Sequence, residues 1–167
     1  MSIPASSTFP LSTAFGLGHL KPASGSWGSL LPVVVAGLLI FSGFGPVYGP
    51  WVYHLVLIAM ILVFSAACVV SGDRAEAQFG RKDPSQVVGD EVVGMSIALL
   101  ALPLGAFVGF WDVIPPLLAA FLLFRFFDIT KIPPANMLQR LPGGWGILLD
   151  DVAAGLWALL VLQIFLR

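Results

Sequence analysis

The chain has 167 residues, 58% hydrophobic and 10% charged, with a formal net charge of −1 and a mean hydropathy of +0.97. Soluble domains carry about 25% charged residues, so this composition excludes a water-soluble globular protein and points to a single integral membrane domain over 1–167. The near-neutral charge leaves no basic patch for nucleic acid. One cysteine, Cys68, excludes an internal disulfide and a cysteine-rich zinc site.

In chain order, residues 1–14 read as a flexible N-terminal segment. The first twenty residues hold no Lys or Arg and no smooth apolar core, so they do not read as a cleaved signal peptide. A glycine-rich run, "FGLGHLKPASGSWGSL", leads into an apolar stretch over 30–44 that is broken by Pro32, Gly37 and Gly43. The stretch 51–70 has only Tyr53, His54 and Ser65 as polar interruptions. Stretch 92–110 contains Pro103, 114–127 contains Arg125, and 152–166 closes the chain. A full span needs roughly 20 apolar residues, which the second and third stretches meet comfortably and the first meets least well. The expected fold is therefore all-α, a bundle of about 4–5 transmembrane or partly re-entrant helices.

Positive charge sets the orientation. If 30–44 runs outward from the cytoplasm, the inner side holds Lys21, Arg74, Arg81, Lys82, Arg125, Lys131 and Arg140, and the outer side holds only Arg167. The expected N-terminus is cytoplasmic and the C-terminus outside. The same arrangement gathers Asp73, Glu76, Asp83, Asp90, Glu91, Asp128, Asp150 and Asp151 on the inner side, with Asp112 alone opposite. Three inner segments, 15–29, 72–91 and 128–151, are rich in glycine, proline and charge, so chemistry is expected on the cytoplasmic face.

Asp90-Glu91 stands just before the third stretch, Asp150-Asp151 just before the fifth, and Asp128 ends the fourth. Acids at helix starts commonly cap free N–H groups. Two adjacent pairs plus Asp128 suggest more. Packed helices lie roughly 8–10 Å apart, so three such ends can bring five carboxylates together, where a hard cation such as Mg²⁺ or Mn²⁺ relieves their repulsion. In "FRFFDITK", Arg125 and Asp128 share a helical face and Lys131 follows. They form either a snorkelling ion pair or a fork for phosphate oxygens. The glycine-rich runs, here and in "LPGGWGILLDD", read as loops rather than phosphate cradles. "CVVSGDR" has the Cys-x5-Arg spacing of the cysteine phosphatases, but Cys68 falls near the C-terminal end of an apolar helix, where the dipole opposes a thiolate. His19 and His54 stand apart from the acids.

Taken together, "FGLGHLKPASGSWGSL", "GRKDPSQVVGDEVVGM", "FRFFDITKIPP" and "GGWGILLDDVAAG" resemble the phosphatidylglycerophosphatase A family over most of the chain. The matching positions are Lys82, Asp83, Pro84, Asp90, Glu91, Gly94, Arg125, Asp128, Lys131, Gly143, Gly144, Gly146, Asp150 and Asp151. Ile132 separates Lys131 from the prolines where the family has Lys-Pro, and Ser26 stands where it often has threonine. The resemblance implies a Mg²⁺-dependent enzyme of a bacterial inner membrane that removes the terminal phosphate of phosphatidylglycerophosphate. On this reading Asp90, Glu91, Asp128, Asp150 and Asp151 supply metal ligands and the base, while Arg125, Lys131 and Lys21 hold the phosphate. The alternatives are a phospholipid-head-group transferase, whose Asp-Gly-x2-Ala-Arg run is missing, and a non-enzymatic membrane subunit or transporter.

Overall fold

The computed structural model describes residues 9–105 and 109–166. A short 3₁₀ segment, Ala14–His19, precedes six helices: α1 (Ser24–Phe41), α2 (Pro50–Phe79), α3 (Gly89–Leu99), α4 (Phe110–Thr130), α5 (Ala135–Leu138) and α6 (Gly143–Leu166). No strand occurs among the described residues. Helices α1, α2, α4 and α6 are long and apolar enough to cross a membrane. Leu55, Leu62 and Val70 of α2, Leu118 and Leu122 of α4, and Leu156 and Ile164 of α6 point outward. An exposed apolar shell around an apolar core is what a lipid solvent permits.

The stretch expected to be the weakest span, 30–44, belongs to an 18-residue helix that begins six residues earlier, at Ser24. The stretch 92–110, expected to span comfortably, does not form one helix. Its helical part, α3, has 11 residues, about 16 Å against a hydrocarbon thickness of about 30 Å. Pro103 accounts for the early stop, because its ring would clash with the carbonyl four residues back, that of Leu99. The carbonyls released there are satisfied from neighbouring helices. Tyr53 Oη donates to Leu99 O at 3.0 Å, His54 Nε2 lies 2.9 Å from Leu100 O, and Gln163 Nε2 donates to Ala101 O at 2.6 Å. Irregular backbone at membrane depth requires such internal partners. His54, apart from the acids as expected, has this structural task.

Helix α3 is the axis of the molecule: α1, α2, α4 and α6 pack around it, and of its residues only Glu91 is not fully buried. Glycines set how near the neighbours come. A Cβ on Gly155 would strike the backbone of Gly94, and one on Gly72 would strike the backbone of Gly144. The α3–α6 and α2–α6 crossings therefore join backbone to backbone, as small residues allow in membranes.

Residues 9–14, expected to be flexible, are built in. Phe9, Ser12, Thr13 and Ala14 are buried, the Ser12 hydroxyl pairs with that of Ser71, and Ser12 O accepts the N–H groups of Val88 and Gly89 at 2.8 and 2.9 Å. Residues 1–8 and Arg167 lie outside the described residues. Helix α2, at 30 residues, measures about 45 Å and so outruns the bilayer. Its polar last turns, with Asp73, Arg74 and Glu76, continue past the apolar window.

Candidate active site

Three helix segments meet at one end of the bundle. Helix α3 starts where Ser12 holds the Val88 and Gly89 amides, and this puts Asp90 and Glu91 in its first turn. No side chain caps that helix, so the pair is not spent on free N–H groups. Helix α6 starts at Gly143, two turns earlier than the apolar stretch suggested, so Asp150 and Asp151 are its eighth and ninth residues. Only the first four N–H groups of a helix lack partners, so capping is excluded for this pair. Asp112 does cap: its Oδ2 accepts the Gly109 N–H at 2.9 Å, at the opposite end of α4 from Asp128.

The five predicted acids divide into two groups. Asp90, Glu91 and Asp151 each offer an oxygen, all within 4.8 Å of one another. Asp90 and Asp151 are 5% and 1% exposed, and Asp90 Oδ1, Glu91 Oε2 and Asp151 Oδ2 are buried with no hydrogen-bond partner. Carboxylates so close and so dry repel strongly unless protons or a cation intervene. An all-oxygen set of this kind fits a hard divalent ion.

The second group surrounds Lys131. Its ammonium donates to Asp150 Oδ2 at 2.6 Å, Asp128 Oδ1 at 3.1 Å and Asp151 Oδ1 at 3.3 Å. Asp151 therefore joins the two groups, one oxygen on each side. Burial alone would push the Lys131 ammonium down in pKa, but Asp151, Asp128 and Asp150 outweigh it and hold the group charged well above the usual lysine range. Lys131 ends α4 with φ +48°, a left-handed conformation that glycine usually supplies at this position. A bulky side chain kept there against backbone preference is characteristic of functional sites.

Arg125 lies one turn before Asp128. Its Nη1 is 2.6 Å from Asp128 Oδ2 and 4.0 Å from Glu91 Oε1. The contact with Asp128 is close but off the hydrogen-bond direction, so Nη1 is left without an acceptor. Helix α1 closes the site from behind: a Cβ on Gly25 would meet both the Glu91 carboxylate and the Arg125 guanidinium. The glycine-rich run thus serves as a close-packed wall. Of the predicted phosphate-holding residues, Arg125 and Lys131 are in the site. Lys21 sits exposed in the turn before α1 and makes no ion pair among the described residues.

Asp83, left out of the predicted site, belongs at its edge. Together with Lys82, Arg140 and Asp150 it lines a cavity of about 350 Å³. The Lys-Asp-Pro stretch was the signal in the sequence, but its loop position hid its proximity to α6. "CVVSGDR" lies wholly inside α2. Cys68 is fully buried, and no phosphate-binding loop joins it to Arg74.

A family model for phosphatidylglycerophosphatase A matches residues 10–166. The chain is 36% identical over 156 residues to a phosphatidylglycerophosphatase A of Haemophilus influenzae, covering 90% of this chain and 83% of that one. It is 31% identical over 147 residues to a phosphatidylglycerophosphatase A of Escherichia coli, covering 87% and 75%. A protein of Bacteroides thetaiotaomicron named as a putative phosphatidylinositol-3-phosphatase is 34% identical over 155 residues, covering 92% and 90%. No solved structure matches the chain. With its motifs gathered into one acid- and cation-lined site at the end of a membrane bundle, the chain belongs to the phosphatidylglycerophosphatase A family and is a membrane phosphatase.

Proposed function

We propose that the protein hydrolyses the terminal phosphate of phosphatidylglycerophosphate with Mg²⁺, or Mn²⁺ in its place, at the cytoplasmic face of a bacterial inner membrane. The observation that carries this reading is the triad of buried Asp90, half-buried Glu91 and buried Asp151, with three buried oxygens that lack hydrogen-bond partners beside Arg125 and Lys131. A divalent ion held by those oxygens would supply positive charge to the phosphate and lower the pKa of an attacking water.

The chain's own groups do the rest. Arg125, whose Nη1 is ion-paired with Asp128 but has no hydrogen-bond acceptor, donates to a phosphate oxygen, and Lys131 stabilises the charge that grows as the bond to glycerol breaks. Asp128 and Asp150 hold those two cations in place and are positioning residues. Water adds to phosphorus, the glycerol oxygen leaves with a proton, and phosphatidylglycerol and inorganic phosphate result, with the carboxylate cluster carrying the proton between them. The lipid's tails have a route as well. Pro134, Ala153, Leu156, Trp157 and Leu160 line an apolar recess of about 230 Å³ that begins on α6 one turn below Asp150. Trp157 Nε1 donates to Pro133 O at 3.0 Å and joins that recess to the loop after Lys131.

Phosphate release from phosphatidylglycerophosphate in detergent micelles tests the reading, run beside phosphatidylinositol phosphate because one relative carries that name. Release that needs Mg²⁺, stops with EDTA and favours the glycerol lipid is expected. Release indifferent to EDTA, or faster on the inositol lipid, would contradict the metal or the substrate respectively.

A further inference from the structure

The cavity beside Asp150 is not used by the chemistry above. Its wall carries Lys82 from the α2–α3 loop and Arg140 from the turn before α6, and Gly146 of the first α6 turn lines it too. Both cations are exposed and neither makes an ion pair within 4.0 Å among the described residues. The first turn of the 24-residue α6 adds N–H groups with no intrahelical acceptor and the positive end of the helix dipole. Two carboxylates, Asp83 and Asp150, also face the cavity. Asp150 shares Lys131 with Asp128 and Asp151, at 2.6 Å against 3.1 and 3.3 Å, and Asp83 lies in the field of Lys131 and Arg81 as well as of Asp128 and Glu76. Lys82 and Arg140 are the two cations on these walls, each without an ion-pair partner among the described residues, and the space of about 350 Å³ accommodates a hydrated tetrahedral anion.

We propose that this cavity is a phosphate-dianion subsite, in which Lys82 and Arg140 hold either the departing inorganic phosphate or the arriving terminal phosphate of the lipid. The inference rests on the phosphatase reading and deepens it. The cavity carries the charged groups Lys82, Asp83, Arg140 and Asp150, whereas the recess on α6 is apolar. The two openings thus suit the two products, one lipid and one ionic. Arginine and lysine on separate loops can grip a tetrahedral anion from two directions.

The test uses the full chain in detergent micelles and radiolabelled inorganic phosphate in equilibrium dialysis. Wild type, Lys82→Met/Arg140→Met and Asp112→Asn are compared, with lipid KM and phosphate inhibition measured in parallel. The double variant is expected to bind phosphate about tenfold or more weakly, while Asp112→Asn binds like wild type, since loss of two charge-assisted contacts weakens an anion and loss of a carboxylate that only caps the far end of α4 does not. A weakened phosphate inhibition with unchanged lipid KM assigns the cavity to the product; a KM that rises as well assigns it to the substrate's phosphate. Undetectable binding to wild type, binding untouched by the double substitution, or binding lost equally in Asp112→Asn would overturn the proposal. If wild type released no phosphate from any lipid yet bound phosphate through Lys82 and Arg140, the phosphatase reading would fall and the subsite would stand.

Discussion

At the scale of single residues, the site separates roles that charge alone would blur. Asp90 and Asp151 each keep a buried oxygen without a hydrogen-bond partner, whereas Asp128 and Asp150 spend theirs on Lys131 and Arg125. Asp90→Asn is expected to lower kcat by about 10²–10³ or more, the range for removing one electrostatic stabiliser, with helix content by circular dichroism unchanged. Lys131 offers a sharper contrast. Lys131→Gly relieves the left-handed backbone at φ +48°, so it is expected to keep or raise thermal stability relative to Lys131→Met, yet both variants lose about 10²-fold in kcat. Retention of activity by either would remove the ammonium from the mechanism. Cys68→Ser, by contrast, is expected to turn over at the wild-type rate, measured in the same phosphate-release assay, because the thiol is buried within α2.

Among the helices, α3 carries the argument from sequence to site. Its C-terminal carbonyls depend on Tyr53, His54 and Gln163. Tyr53→Phe is expected to cost about 1 kcal/mol, the scale of polar contacts within membranes, seen as a melting temperature lower by about 2–4 °C. At the other end, Gly25→Val would push against Glu91 and Arg125 and is expected to lower kcat at least about tenfold while the protein still inserts, because small displacements of catalytic groups are costly. An active Gly25→Val enzyme would show that α1 does not set the site. These two ends also mark what the sequence made legible. The five acids, Arg125 and Lys131 were readable because ionisable groups stand out in an apolar chain. The division into a triad and a Lys131 group was not, because it depends on α6 starting at Gly143 and so turning Asp150 and Asp151 to different neighbours. Length alone made 92–110 look like a span; the clash of Pro103 with Leu99 O shortened it. Asp83 and Gly25 were hidden for the same reason, since their importance comes from helices distant in sequence.

The whole molecule is a membrane bundle with acids, cations and close-packed glycines at one end and an irregular, side-chain-capped crossing toward the other. On the proposed reading the distribution of Lys and Arg turns the site end to the cytoplasm, and this has its own check. In a Cys68→Ser background, an impermeant maleimide is expected to label Gln78→Cys only in inverted vesicles and Phe44→Cys only in intact cells; the reverse pattern would turn the site outward. The central claim is that the dry carboxylates of α3 and α6 form a metal site. Manganese binding followed by electron paramagnetic resonance on the purified chain tests it most directly, comparing wild type with Asp90→Asn, Asp151→Asn and Asp112→Asn. Affinity is expected to fall by about 10–100-fold or more in the first two and to stay unchanged in Asp112→Asn, whose carboxylate only caps α4. Equal binding by all four proteins would contradict it.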